Sequence, residues 1–333
     1  MKLSILDQAP ISANQSAKDA LAASMKLAQA GEAFGYSRFW IAEHHDLLGL
    51  ACSAPEVVLS WIGANTNRIR IGSGAVLLPH YRPYKVAEVY NTLAVLFPGR
   101  IDVGIGRAPG GSAEATEALS NNFLQQVWNM PSLVKELLNF FDDTFTPENK
   151  YAKLSASPLP ETAPVPWLLG TGKKSALLAA EYGLSYAFGQ FMSGNDGKAI
   201  IQHYLENFKP RKDAQTPYVI VTVSAFCAET TEKAEEMALS SFIWGLRREK
   251  GERKPYVPSI EEAKRYKLSK DEKAKWEQKK QKLIIGNPQD VKKKLEALQT
   301  QYQADELMIV TITYSPKDKI RSYELIANEV FAQ

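Results

Sequence analysis

Eight short apolar runs, separated by stretches of helical periodicity, constrain this chain more than any other feature. The runs fall at residues 3–6, 38–42, 69–78, 101–105, 167–170, 185–188, 218–227 and 306–313. Each is brief, dominated by aliphatic or aromatic residues and bounded by glycine, proline or polar positions, which is the pattern of a buried strand. Helical spacing is expected over 19–34, 55–64, 84–97, 113–140, 175–182, 200–208 and 317–331; in the first of these, Leu21, Met25, Leu27 and Ala28 share one face. Strands alternating with helices call for a parallel sheet, and at eight strands the sheet closes most simply on itself. The expected fold class is therefore α/β, a (β/α)8 TIM barrel with an insertion before the last βα unit. Such barrels take about 250 residues. The excess in these 333 residues maps to a loop carrying Pro147, Pro158, Pro160, Pro164 and Pro166, and to residues 246–286. The whole of 1–333 is read as one domain.

Charge separates that second stretch from the rest. Residues 247–282 hold fourteen Lys and Arg against seven Asp and Glu, a balance of +7, while the whole chain carries +3 and the remainder therefore about −4. Basic and acidic residues are interspersed and aromatics are few, so a solvated pair of rim helices or a lid over the barrel mouth suits it better than a nucleic-acid site. No apolar run approaches the roughly 18 residues of a membrane span, and the apolar stretch after Met1 is too short for a signal peptide. Two cysteines, Cys52 and Cys227, exclude a disulfide-dense scaffold and fit a reducing compartment. The expectation is a cytoplasmic protein with no nucleic-acid or membrane partner.

Chemistry-bearing residues cluster after the strands. Glu43, His44, His45 and Asp46 follow the second run directly, at the strand end where barrels build their sites. Taken alone, a histidine there is as well explained by capping or rim packing. Arg107 follows the fourth run between Gly106 and the pair Gly110-Gly111, and a guanidinium at a barrel mouth suits a phosphate. After the fifth run, Gly170-Thr171-Gly172-Lys173-Lys174-Ser175 leads into a helix. Its glycines allow close backbone approach, and the helix start offers unsatisfied N–H groups to an anion. The third run carries Gly72 and Gly74, which weaken a buried strand and need a reason, such as a flat ring packed close by or an unusual peptide geometry.

Several tempting motifs fail. The third glycine of a dinucleotide fingerprint beginning at Gly104 would fall on Pro109, and the first glycine of a P-loop ending at Ser175 would fall on Trp167. No Gly-x-Ser-x-Gly elbow is present, and His44, His45, His80 and His203 make no metal-ligand spacing. No metal is expected.

Three segments together resemble the bacterial luciferase-like flavin-dependent monooxygenases. They are 34–45, with Trp40-Ile41-Ala42-Glu43-His44-His45; 70–80, Arg-Ile-Gly-Ser-Gly-Ala-Val-Leu-Leu-Pro-His; and 97–110, ending in Arg107-Ala108-Pro109-Gly110. Ser53-Ala54-Pro55-Glu56 and 107–110 are more similar to the family's single-gene bacterial oxidoreductase branch than to the light-emitting enzymes. The resemblance implies reduced FMN as cosubstrate, O2 activated through a flavin C4a-peroxide, and a small organic substrate. It implies that His44 is catalytic and that the Gly74-Ala75 junction is a non-prolyl cis peptide beneath the flavin ring. It also implies that Arg107, Gly170, Thr171, Gly172, Ser175 and Gly189 lie at the flavin phosphate. A homodimer is implied as well, and helices 55–64 and 84–97 carry Trp61, Ile62, Val89, Leu93 and Leu96 for it. An NAD(P)H:flavin reductase would supply reduced flavin. A reactive cysteine of the luciferases is Gly106 here, so light emission and a long-chain aldehyde are not implied. Alternatives are a hydride-transfer enzyme using the deazaflavin F420, a non-catalytic flavin-binding protein, and a phosphosugar barrel enzyme.

Overall fold

The computed structural model describes residues 1–252 and 256–332. Eight parallel strands close into a barrel: β1 (Lys2–Asp7), β2 (Arg38–Ile41), β3 (Arg70–Leu77), β4 (Ile101–Gly106), β5 (Val165–Gly170), β6 (Ser185–Gly189), β7 (Val219–Cys227) and, later in the chain, β9 (Glu306–Val310). They pair in sequence order, and β7 closes the ring by pairing with both β6 and β9. All eight correspond to expected runs. A ninth strand, β8 (Ile284–Gly286), was not expected; it lies outside the ring and extends the sheet alongside Ala225–Cys227 of β7.

The helices cover the barrel. They are α1 (Ala17–Phe34), α2 (Pro55–Ala64), α3 (Pro83–Leu96), α4 (Ala113–Leu119), α5 (Phe123–Trp128), α6 (Met130–Asp142), α7 (Lys173–Glu181), α8 (Gly197–Asn207), α9 (Thr231–Glu249), α10 (Ile260–Arg265), α11 (Lys270–Lys282), α12 (Pro288–Tyr302) and α13 (Pro316–Phe331). Local chemistry sets their ends. Ser16 and Asp19 form a capping box on α1, which stops where Gly35 turns left-handed. The single helical stretch expected at 113–140 is three helices. Ser120 ends α4, and α6 is a separate amphipathic helix that buries Met130, Val134, Leu137, Leu138 and Phe141.

The alternation of side chains along each strand makes two cores. Leu3, Ile5, Phe39, Ile71, Val103 and Ile105 face outward, into the main layer under the helices. Leu6, Trp40, Ala42, Trp167, Ala187, Ile220, Met308 and Val310 fill the barrel interior, where Trp40 and Trp167 meet edge to face at 5.4 Å. Glycines on β3 and β4 let the strands approach. A Cβ at Gly72 would lie 2.7 Å from Asp102 O, one at Gly74 would lie 2.6 Å from Leu6 Cδ1, and one at Gly104 would collide with Ser73 O. Packing alone therefore accounts for these glycines. The Gly74-Ala75 bond is cis, as expected, and the β3–β4 register shifts there.

The barrel floor holds an ionic network. Arg38 donates to Glu306 Oε1 and Oε2 (2.8 and 3.0 Å) and to Asp102 Oδ2 (2.7 Å), while Arg70 donates to Asp102 Oδ1. Trp40 Nε1 also donates to Asp102 Oδ2, at 3.0 Å, and Tyr218 Oη to Glu306 Oε2, also at 3.0 Å. Burial opposes the charge on Arg38, but the two carboxylates outweigh it and raise its pKa. Asp102 and Glu306 are completely buried, so each depends on these partners.

Residues 253–255 of the expected insertion lie outside the described residues; its described parts, 246–252 and 256–286, comprise the end of α9, α10, α11 and β8 and are docked, not free-standing. Val257 exchanges backbone bonds with Ile11 (3.0 Å) and Ala13 (2.9 Å) across the β1–α1 loop. Ion pairs Lys264–Glu236 (2.5 Å), Lys250–Glu272 (2.7 Å) and Lys275–Glu249 (3.3 Å) knit the helices together. Among the five apolar residues expected at a dimer interface, Ile62 and Leu93 are buried in the monomer core and Val89 packs against it. Trp61 and Leu96 are 41% and 58% exposed, beside exposed Val57 and Val95.

Candidate active site at the barrel mouth

Glu43 organises the rim after β2 and β3. It is buried, and its carboxylate accepts from Tyr81 Oη (2.7 Å) and Leu77 N (3.1 Å) and pairs with His45 Nε2 at 2.7 Å. His45 N donates to Gly110 O (2.9 Å), and His80 Nε2 lies 2.9 Å from Pro109 O. The β4–α4 loop carrying Arg107 is thus fastened to the loops after β2 and β3. Gly110, at φ 74°, and Gly111 permit this approach, since a Cβ at either would collide with Leu77 or with the His45 carbonyl. Sequence reading singled out His44 and passed over Glu43 as an organiser. The available signal was an acid directly after a buried strand.

His44 has a different environment from His45. Its backbone N–H donates to Cys52 O (2.9 Å), and its Nδ1 is buried with no hydrogen-bond partner among the described residues. Burial first, then the electrostatic influence of Arg248 and of the neighbouring His45, lower its pKa to about 4. His44 is therefore neutral at neutral pH, with a ring nitrogen that no group among the described residues satisfies.

On the β4–β5 side, Arg107, Trp128, Leu168, Leu169, Lys174 and Ser175 line a cleft of about 620 Å³. Arg107 is exposed and has no carboxylate partner among the described residues. Helix α7 begins at Lys173, two residues earlier than expected, which makes Gly172 its N-cap; Gly172 supplies no capping side chain, and a Cβ there would meet open space. Ser175 N already donates to Gly172 O (3.1 Å), which leaves the N–H groups of Lys173 and Lys174 without an intrahelical acceptor. Ser175 Oγ donates to Gly172 O (2.7 Å) and lies 3.1 Å from Tyr186 Oη, so its proton is already engaged. Burial pushes the Tyr186 hydroxyl up to about 12, with Ser175 and Arg107 pulling the other way.

Gly170 leaves room for Ser175, and Gly189 comes close to Thr171. The Thr171 carbonyl accepts from Asn195 Nδ2 at 2.8 Å and from Ser193 Oγ at 3.4 Å, two partners that sequence reading missed. The expected phosphate residues Arg107, Gly170, Thr171, Gly172, Ser175 and Gly189 therefore share one side of the mouth. Gly74 and Ala75 lie on the adjoining β3. Gly106 sits against Ala75, where an added Cβ would come within 2.9 Å of the Ala75 Cβ. His44 is not among the lining residues of the cleft. Cys52 and Cys227 are free and buried, and burial pushes both thiols up to about 12. No helix among the described residues is long and apolar enough to cross a membrane.

Fold and rim define a (β/α)8-barrel protein whose candidate site residues stand at the C-terminal ends of its strands. The chain belongs to the luciferase-like monooxygenase family, whose model matches residues 1–303. Family membership supports an oxidoreductase. The chain is 43% identical to an uncharacterized protein, YwcH, of Bacillus subtilis, covering 100% of this chain and 99% of that one. It is 36% identical to N-acetyl-S-alkylcysteine monooxygenase of the same organism, again covering 100% and 99%. Apo-MsnO8 superposes with a TM-score of 0.89 at 31% identity, covering 100% and 99%. Two more distant structures share the fold. One is the FMN-bound oxygenating constituent of 3,6-diketocamphane monooxygenase from Pseudomonas putida (TM-score 0.73, 21% identity, covering 99% and 98%). The other is an F420-dependent secondary alcohol dehydrogenase (TM-score 0.69, 15% identity, covering 99% and 98%).

Proposed function

We propose that this protein is an FMN-dependent monooxygenase that uses reduced FMN and O2 to oxidise a small organic substrate, with reduced flavin delivered by a separate NAD(P)H:flavin reductase. The observation that carries this reading is the cleft uniting Arg107 with the uncapped N-terminus of α7. A phosphate there would meet a guanidinium and the N–H groups of Lys173 and Lys174, and the dipole of α7 favours its charge. Lys174, in the same cleft, adds a second cation. Two buried acceptors near the mouth, His44 Nδ1 and Gln190 Oε1, have no protein partner among the described residues, as suits a site that a polar ligand completes.

Reduced flavin, when bound, supplies the electrons for O2 chemistry. This chain's residues do the rest. Arg107, Lys174 and residues 170–175 hold the phosphate. Gly74, Ala75 and Gly189 give the cofactor close backbone approach. The docked helices α10 and α11 shield the mouth from water. His44, neutral, accepts or holds a proton at Nδ1 beside the reacting groups. The exposed Trp61, Leu96, Val57 and Val95 form a homodimer interface. The alternative of F420-dependent hydride transfer shares the barrel and remains the comparison to run.

The test is turnover under isotopically labelled O2 with FMN and a flavin reductase. N-acetyl-S-alkylcysteines, the substrates named for the 36% identical relative, are tried first. Label in an organic product supports the reading. Substrate oxidation that needs no O2 refutes it.

A further inference from the structure

Across the mouth from the Arg107 cleft lies a second chamber, of about 320 Å³, between the ends of β1, β7 and β9 and the inner faces of α9 and α11. Its apolar walls are Phe191, Phe242, Trp244, Leu283, Val310 and Ile312. Gln8, Ser224 and Ser241 also face it. Two lysines line its α11 side. Lys275 is paired with Glu249 at 3.3 Å, whereas Lys279 has no carboxylate partner among the described residues. The next residue, Lys280, points elsewhere and pairs with Glu277 at 3.0 Å. A mostly apolar concavity with a few converging polar groups is the usual form of a small-molecule site, and this volume sits at the lower end of the roughly 300–1,000 Å³ such sites occupy.

We infer that this chamber receives the organic substrate, and that the substrate is a small anion with an apolar body: the body lies against Phe191, Phe242, Trp244 and Ile312, and the anionic end meets Lys279. The inference rests on the monooxygenase reading for the word substrate, but the ligand chemistry it assigns does not depend on the flavin. Charge explains the choice. Among the described residues, the chamber offers apolar surface for the body, one lysine without a carboxylate partner, and a single carboxylate, Glu249, that is already paired with Lys275. A cationic ligand would find no free partner there.

Ligand-observed NMR titration of the full protein, with and without FMN, tests this. The probes are butanoate, hexanoate, octanoate and phenylacetate, each against its primary amide. At least one acid is expected to bind about fivefold tighter than its amide, the equivalent of about 1 kcal/mol at an exposed ion pair. Lys279→Gln should bring that ratio close to one. Lys280→Gln, which removes the same charge one residue away, should preserve it. Ser241→Phe, which fills the chamber from α9, should abolish binding of both acid and amide while FMN affinity is retained. The inference is overturned if amides match acids in the wild type, if the preference survives Lys279→Gln, or if no probe binds. Failure to bind FMN with the acid preference intact would instead remove the flavin reading and leave the chamber assignment standing.

Discussion

Replacing Arg107 by alanine isolates the cation of the proposed phosphate site. Its side chain is exposed and makes no ion pair among the described residues, and its loop is fastened independently through His45 N–Gly110 O and His80 Nε2–Pro109 O. The substitution should therefore leave the fold intact and act on binding alone. A hydrogen bond to a charged group is worth about 1.5–3 kcal/mol, and partial exposure favours the lower end. The expected loss is about 1.5 kcal/mol, or roughly tenfold in Kd. Residual affinity should persist, because the N–H groups at the start of α7 remain. Arg107→Lys should recover part of the loss, since it restores the charge but not the forked donor geometry. FMN fluorescence quenching measures the affinities, with riboflavin, which lacks the phosphate, as the internal control. Riboflavin affinity should not change. An unchanged FMN Kd in Arg107→Ala, or an equal loss for riboflavin, refutes the phosphate assignment.

Three further outcomes follow from the geometry. Asp102→Ala leaves Arg38 and Arg70 without a counter-charge at the barrel floor and should cost about 3–5 kcal/mol in urea unfolding; a loss under 1 kcal/mol would contradict the network's role. His44 has a folded pKa of about 4 against 6.5 for the free side chain. The unfolded chain therefore binds the proton first, and stability present above pH 6.5 falls as the pH drops toward 4, by about 2 kcal/mol between pH 7 and 5. His44→Gln should remove that part of the pH dependence, and product formation in His44→Ala should fall about 10²–10⁴-fold with FMN binding retained; a wild-type acid limb in the Gln variant sinks this assignment. Light scattering should give a dimer mass, and Trp61→Glu combined with Leu96→Glu should give monomers; a monomeric wild type at micromolar concentration refutes the interface.

The barrel was legible because its strands are short, apolar and regularly interrupted, a pattern that survives without any knowledge of tertiary contacts. What the pattern hid was whatever depends on the third dimension. Strand β8 has three residues, too few to show a period. Arg38, Asp102 and Glu306 lie in three separate runs with nothing in the sequence to pair them, yet the inward register of β2, β4 and β9 brings them together at the floor. At the mouth, residue types announced His44 and Arg107. The hub made by Glu43 did not show, because its partners Leu77 and Tyr81 lie 34 and 38 residues away. The β3 glycines called for a reason such as an unusual peptide geometry, and the resemblance placed it at Gly74-Ala75; packing against Leu6 and Asp102 also accounts for Gly74 and Gly72. Ser175 is implied at the phosphate, but its hydroxyl donates to the Gly172 carbonyl.

A mouth that holds reduced FMN must select it over the deazaflavin. An anaerobic titration of the protein with reduced FMN and, in parallel, with reduced F420 compares the two, with bound cofactor read by absorbance and fluorescence. Saturable binding of reduced FMN that weakens in Arg107→Ala is expected, with much weaker binding of F420. Preferential binding of F420, or no binding of reduced FMN, would contradict the FMN reading.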